Sequence, residues 1–103
     1  MTESALDFAV EVDGQPPVIR VTGEIDFAAS HEFATSVERF LSSGTSDPVV
    51  FDLAGVTFMD SSGLAVLIST ANAGHAVVIR NPSRNVRSIV DATGLQAIFQ
   101  VQP

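Results

Sequence analysis

PVVFDLAGVTFMDSSGLAVLISTA, residues Pro48 to Ala71, changes its hydrophobic period halfway and carries its polar residues at the joint. Val49, Val50, Phe51 and Leu53 form a nearly continuous apolar run, the pattern of a strand buried on both faces of a helix-covered sheet. Ala54 to Met59 reads as a loop or a brief extended piece. From Leu64 the spacing is helical, with Leu64, Leu67, Ile68 and Ala71 at i, i+3, i+4 and i+7. Between strand and helix lies Asp60-Ser61-Ser62-Gly63. A helix starting there turns its first unpaired N–H groups outward. Such an end takes a capping serine, worth about 1 kcal/mol, and it also suits a phosphate. With two adjacent serines, Ser61 and Ser62, one can cap while the other stays free.

Upstream, Leu6, Phe8, Val10 and Val12 alternate with Asp7, Ala9 and Glu11, the period of a strand with one face in the core. Asp13-Gly14 followed by Gln15-Pro16-Pro17 is a turn. Val18 to Thr22 resumes the extended pattern, so the first two strands form an antiparallel hairpin at a sheet edge. Gly23-Glu24-Ile25-Asp26 breaks the second strand. A first helix follows over about Ala29 to Ser42, with Phe33, Val37, Phe40 and Leu41 on one face and Ser30 or Asp26 as its cap. The turn-rich stretch Ser42 to Pro48 leads to the central strand, and the helix between makes strands two and three parallel.

Downstream, Asn72-Ala73-Gly74 closes a second helix of about ten residues, and Ala76 to Ile79 is the next strand. Asn81-Pro82-Ser83 starts a third helix whose buried face is Val86, Ile89 and Val90; Gly94 ends it. Leu95, Ile98, Phe99 and Val101 form a short last strand or an apolar tail. The order predicts one α/β domain over residues 1–103: a mixed sheet of about four to five strands with an N-terminal hairpin and about three helices packed against it.

The chain has 103 residues, 46% of them hydrophobic and 17% charged, the composition of a folded domain with its own core. Having no cysteine, it has no disulfide framework, thiolate metal site or thiol nucleophile. Twelve acidic against five basic residues give a net charge of −7. That balance disfavours direct nucleic-acid binding and anionic membranes, and favours a protein partner with a basic face. Acids and no basic residues precede the first apolar positions, unlike a secretory signal, and the apolar runs are too short to span a bilayer. A soluble, cytoplasmic protein is expected.

Enzymatic chemistry finds little support in the motifs. The nucleophile elbow G-x-S-x-G is absent around Ser61, and neither His31 nor His75 sits in a pattern that pairs with it. The phosphate-binding loops G-x-x-x-x-G-K-[ST] and G-x-G-x-x-G are absent too. Glu24 with Asp26, or Asp52 with Asp60, is conceivable as a metal or acid–base pair. Glu24 reads better as a solvated loop residue and Asp52 as an end-of-strand hydrogen-bonding partner. Asp26 is different: if strands two and three are neighbours, it emerges close to Asp60 and Ser61, at strand ends where ligands of open α/β sheets collect.

Met59-Asp60-Ser61-Ser62-Gly63-Leu64, preceded by Val50-Phe51-Asp52-Leu53 and Gly23-Glu24-Ile25-Asp26, resembles the STAS domain of bacterial anti-sigma factor antagonists. Asn81-Pro82-Ser83, Val86 two residues after Arg84, and Thr93-Gly94-Leu95 continue the resemblance in the family's order over almost the whole chain. It implies an anti-anti-sigma factor, a phosphoprotein that regulates transcription by partner switching. The first serine after the aspartate, here Ser61, would be phosphorylated by a partner that is both a serine kinase and an anti-sigma factor. The unphosphorylated form would bind that partner and free the sigma factor, and a PP2C-type phosphatase would reset it. The implied partner-binding residues are Asp26, Asp60, Ser61, Ser62, Gly63 and Leu64.

Catalysis, ATP and metal would belong to the partners, so this chain has no catalytic residue, metal or cofactor of its own and is a monomer or weak dimer. Its second helix and the loop before His75 are a few residues shorter than the family's. Related domains in the wider family are non-phosphorylated scaffolds of stress-sensing assemblies or accessory subunits of lipid-transport complexes, and that is the alternative reading.

Overall fold

The computed structural model describes residues 8–13, 18–42 and 48–102. Strand β1 (Phe8–Asp13) and strand β2 (Val18–Ile25) precede helix α1 (Phe27–Leu41); β3 (Val49–Met59), α2 (Ser61–Asn72), β4 (Val77–Arg80) and α3 (Arg84–Thr93) follow. A 3-10 turn (Leu95–Ala97) and strand β5 (Gln100–Gln102) complete the order. Leu6, the turn residues 14–17 and the loop residues 43–47 lie outside the described residues.

The strands form one five-stranded mixed sheet in the order β1-β2-β3-β4-β5. The hairpin pairing of β1 with β2 is antiparallel, and the three later pairings, each bridged by a helix, are parallel. All three helices share one face of the sheet. Phe33 and Val37 of α1, Leu64 and Leu67 of α2, and Val86 and Val90 of α3 join Ile19, Val21, Ile25, Phe51, Leu53, Val56, Met59 and Ile79 in a single buried cluster. The helical periods explain this. Ala29, Phe33 and Val37 recur every fourth residue along α1, and Leu64, Leu67 and Thr70 every third along α2. Phe33 meets Phe51 edge to face, with ring centroids 6.4 Å apart and planes at 77°, so an aromatic pair ties α1 to the central strand.

The other sheet face carries a smaller cluster, Val18, Val50 and Val78, which are register partners across β2, β3 and β4. Two residues further along, Arg20, Asp52 and Arg80 are partners in the same way. Asp52 thus stands between two arginines within β3, and its carboxylate accepts the Ala54 N–H at 3.1 Å.

β3 departs most from the sequence expectation. Ala54 to Met59 is neither a loop nor a separate piece but the second half of one 11-residue strand. Between Arg20 and Ile25 the register against β2 slips twice: Arg20 pairs with Asp52 but Thr22 with Gly55, and Gly23 pairs with Val56 but Glu24 with Phe58. Each slip inserts one extra residue into β3, a bulge. The buried residues Phe51, Leu53, Val56 and Met59 are accordingly spaced by two, three and three. A three-residue spacing looks irregular in sequence, yet here it returns each apolar side chain to the core face after a bulge. Across from it, β2 is likewise not broken at Gly23. Its positive φ of 102° absorbs the distortion, the strand runs to Ile25, and Glu24 is an exposed strand residue rather than a loop residue.

The carboxy-terminal third follows expectation closely. Ser83 caps α3 by accepting the Val86 N–H at 3.4 Å, and Gly94 ends it in the left-handed conformation at φ 72°. The apolar tail resolves into the 3-10 turn, buried Phe99 and edge strand β5.

The core geometry makes a direct stability prediction. Phe51 is fully buried at the centre of the sheet and packs on Phe33. Phe51→Ala is expected to destabilise the fold by about 3–5 kcal/mol, read as a lowered midpoint in urea unfolding followed by circular dichroism.

Candidate functional site

Ile25 and Met59 are the last register pair of β2 and β3, so the chain leaves the sheet twice at the same place, at Asp26 and at Asp60. Both aspartates have extended backbones and both cap the helix that follows. The Asp26 Oδ1 accepts the Ala29 N–H at 3.0 Å. The Asp60 Oδ1 accepts the Ser62 N–H at 2.9 Å and the Gly63 N–H at 3.3 Å. A bond from the Asp60 N–H to the Ile25 carbonyl, 3.4 Å, joins the two exits. Two parallel helices therefore start side by side, each with its positive end against a carboxylate.

The expectation of a serine cap on α2 is corrected here. Sheet pairing ends at Met59, which makes Asp60 the first residue with free extended geometry, and its carboxylate takes both exposed donors at once. Ser61 becomes the first helical residue. Its side chain is exposed and has no hydrogen-bond partner among the described residues. Helix α1 likewise starts two residues earlier than Ala29, at Phe27, and of its two candidate caps Asp26 serves; the Ser30 hydroxyl instead donates to the Phe27 carbonyl at 2.9 Å.

Gly63 and Leu64 lie beneath this surface. A methyl group on Gly63 would stand 2.7 Å from the Ile25 Cγ2, 2.9 Å from the Ile25 carbonyl oxygen and 3.0 Å from the Met59 Cγ. Only a glycine lets the first turn of α2 come this close to the strand ends. Leu64 is buried in the main core and anchors the same turn. Ser62 is half-buried and lines a groove of about 410 Å³ between α1 and α2, together with Ser30, His31, Glu38, Val66 and Ser69. The structure thus gathers Asp26, Asp60, Ser61 and Ser62 at one end of the sheet, with Gly63 and Leu64 as the packing that holds them there.

Other candidates are not brought in. Asp52 belongs to the arginine row on the opposite face, separated from Asp60 by both bulges, so these two do not form a pair. Among the described residues no group of three or more His, Asp or Glu side chains is disposed to hold a metal ion. His31 lines the groove on α1, and His75 sits just ahead of β4.

Two features have no counterpart in the sequence reading. Phe27, the first residue of α1, is 79% exposed next to Asp26, a large apolar surface two residues ahead of the helix start expected from the sequence. Asn85, on the first turn of α3, accepts the Met59 N–H through its Oδ1 at 2.7 Å. It is 26 residues from its partner, and nothing local marks it.

Comparison with known proteins gives a consistent picture. A family model described as the STAS domain matches residues 7–103. An anti-sigma F factor antagonist of Lysinibacillus sphaericus is 30% identical over 82 residues, covering 76% of this chain and 70% of that protein. The crystal structure of an anti-sigma factor antagonist from Mycobacterium paratuberculosis matches with a TM-score of 0.81 at 25% identity, over 99% of this chain and 91% of the other. The anti-sigma factor antagonist SpoIIAA, in a structure of its unphosphorylated form, shares the fold with a TM-score of 0.74 at 22% identity, over 90% and 87% of the two chains.

Two substitutions test this geometry. Asp60→Ala removes the acceptor for two N–H groups and is expected to cost about 0.5–2 kcal/mol, with Asp60→Asn close to wild type. Gly63→Ala forces backbone apart and is expected to cost about 1–3 kcal/mol. Both are read by thermal or urea unfolding.

Proposed function

Because this chain belongs to the STAS-domain family of anti-sigma factor antagonists, we propose that it is a binding switch whose state is set at Ser61. Unphosphorylated, it binds an anti-sigma factor that is also a serine kinase, and the sigma factor is freed. The kinase transfers the γ-phosphoryl group of ATP to the Ser61 Oγ, with ADP leaving and the hydroxyl proton lost, and the complex separates. A PP2C-type phosphatase hydrolyses the phosphoester and restores the binding form. The chain is the substrate in this cycle; catalysis, ATP and metal reside in its partners. It works as a monomer or weak dimer in the cytoplasm, and no helix among the described residues is long and apolar enough to cross a membrane.

The observation that carries this reading is the exposed Ser61 hydroxyl, left out of the cap because Asp60 makes it. A phosphate there adds about 1.5 to 2 negative charges. The Ser62 and Gly63 N–H groups are already held by Asp60, so these two donors are not free to draw the new oxygens into the helix end. The group therefore stays at the surface, where the helix dipole offsets part of its charge and the fold is kept. Beside Asp60 and Asp26 it makes an already acidic spot strongly so. A partner surface shaped for a neutral serine then meets like charge or a desolvation cost. Exposed Phe27 adjoins the site and supplies an apolar contact of the kind that anchors protein interfaces. The net charge of −7 suits a partner with a basic face.

The test is the intact mass of the purified chain after incubation with ATP and magnesium in extract of the cells that carry it, with Ser61→Ala alongside. One added phosphate on the wild type and none on Ser61→Ala is expected. Equal modification of both would move the site to Ser62 or Thr57. Modification of neither, while a control antagonist is modified in the same extract, would favour the non-phosphorylated scaffold or accessory subunit.

A further inference from the structure

Strand β3 outruns one of its two neighbours. Its pairing with β4 covers only Val49 to Asp52, whereas its pairing with β2 continues to Met59. Beyond Asp52, the first turn of α3 borders the β4 side of the strand across a hollow of about 560 Å³ lined by Val56, Thr57, Ser83, Asn85 and Ser88. One bond crosses from that turn to the strand end, the 2.7 Å donation from the Met59 N–H to the Asn85 Oδ1, and it is partly buried. This length is at the short, strong end of the range for an amide donor. On the β2 side, by contrast, the Asp60 N–H reaches the Ile25 carbonyl only at 3.4 Å. The end of β3 is thus held more tightly by a side chain from α3 than by that last bond toward its own sheet neighbour.

We propose that Asn85 is a positioning residue for Ser61. Met59 precedes the Asp60 cap, and Ser61 follows it. With the Met59 N–H fixed, the cap and the Ser61 hydroxyl stand at one distance from the strand ends and from Phe27. Without that acceptor, a strand end already loosened by two bulges has no ladder bond on its α3 side to replace it. A kinase must bring its phosphoryl donor in line with the hydroxyl, so the rate of transfer depends on that position. Asn85 acts through the backbone and does not touch the phosphoryl group. The inference rests on the reading of Ser61 as the phosphorylated residue.

The experiment measures the initial rate of Ser61 phosphorylation in the extract described above for wild type, Asn85→Ala, Asn85→Asp and Val90→Ala, with hydrogen exchange at the Met59 amide followed by NMR. Asn85→Ala is expected to slow phosphorylation on the order of tenfold and to speed Met59 exchange relative to the core strand amides. Asn85→Asp keeps an acceptor oxygen and is expected to recover most of the rate. Val90→Ala loosens the same helix without touching Asn85, and is expected to lower the unfolding midpoint while leaving the rate near wild type. Wild-type rate in Asn85→Ala, an uncorrected rate in Asn85→Asp, or an equal loss in Val90→Ala would each overturn the positioning role alone. Absence of phosphate from wild-type Ser61 would overturn the Ser61 reading and this one with it.

Discussion

The parallel pairing of β2 with β3 has to reach its last residues, Ile25 against Met59, for the rest of the site to exist. That pair decides where the chain leaves the sheet, and it leaves twice in the same place. An aspartate follows each exit, and each caps a helix. Two helix N-termini are thereby set side by side, with their charges balanced by carboxylates and the Ser61 hydroxyl left over. Shortening the pairing by one residue would shift the cap position on α2, and a different side chain would then stand exposed.

Carrying the pairing that far has structural costs, and the chain meets them with particular residues. β3 needs two extra residues to stay in step with β2, so its apolar spacing lengthens from two to three while Leu53, Val56 and Met59 remain on the core face. Gly23 accepts the positive φ that the facing strand requires. Gly63 lets α2 start against the Ile25 carbonyl, where any side chain would collide. Asn85 satisfies the Met59 N–H that no strand reaches. Bulges and a side-chain hydrogen bond take the place of a regular ladder, and they sit directly ahead of the exposed serine.

Under the proposed function, the same arrangement lets a modification at Ser61 be read without rearranging the domain. The residues beneath it, Leu64, Met59 and Ile25, are buried in the main core. The residues around it, Asp26, Asp60, Ser62 and Phe27, are partly or fully accessible. A rigid base with an accessible polar top would turn a change of charge into a change of binding surface, so the proposed switch needs no moving part of its own.

Much of this was legible in the chain itself. Local pattern marked the alternation of strands and helices, the antiparallel hairpin and the Ser83 and Gly94 helix ends, because period and capping chemistry are set by residues a few positions apart. The parallel pairing of strands two and three, and with it the nearness of Asp26 to Asp60, followed from the helix that joins those strands. The order of motifs around Met59-Asp60-Ser61-Ser62-Gly63-Leu64 pointed to the family by resemblance. What tertiary structure alone decided is of another kind. The continuation of β3 through Ala54 to Met59 depends on β2 lying beside it, since a bulged strand has no strand period of its own. The choice of Asp60 over either serine as the cap depends on where that pairing stops. The hold of Asn85 on Met59 joins residues 26 apart and has no local signature. Interactions between near neighbours are written in the order of the residues, whereas register, bulges and long-range hydrogen bonds arise only once distant segments share a core.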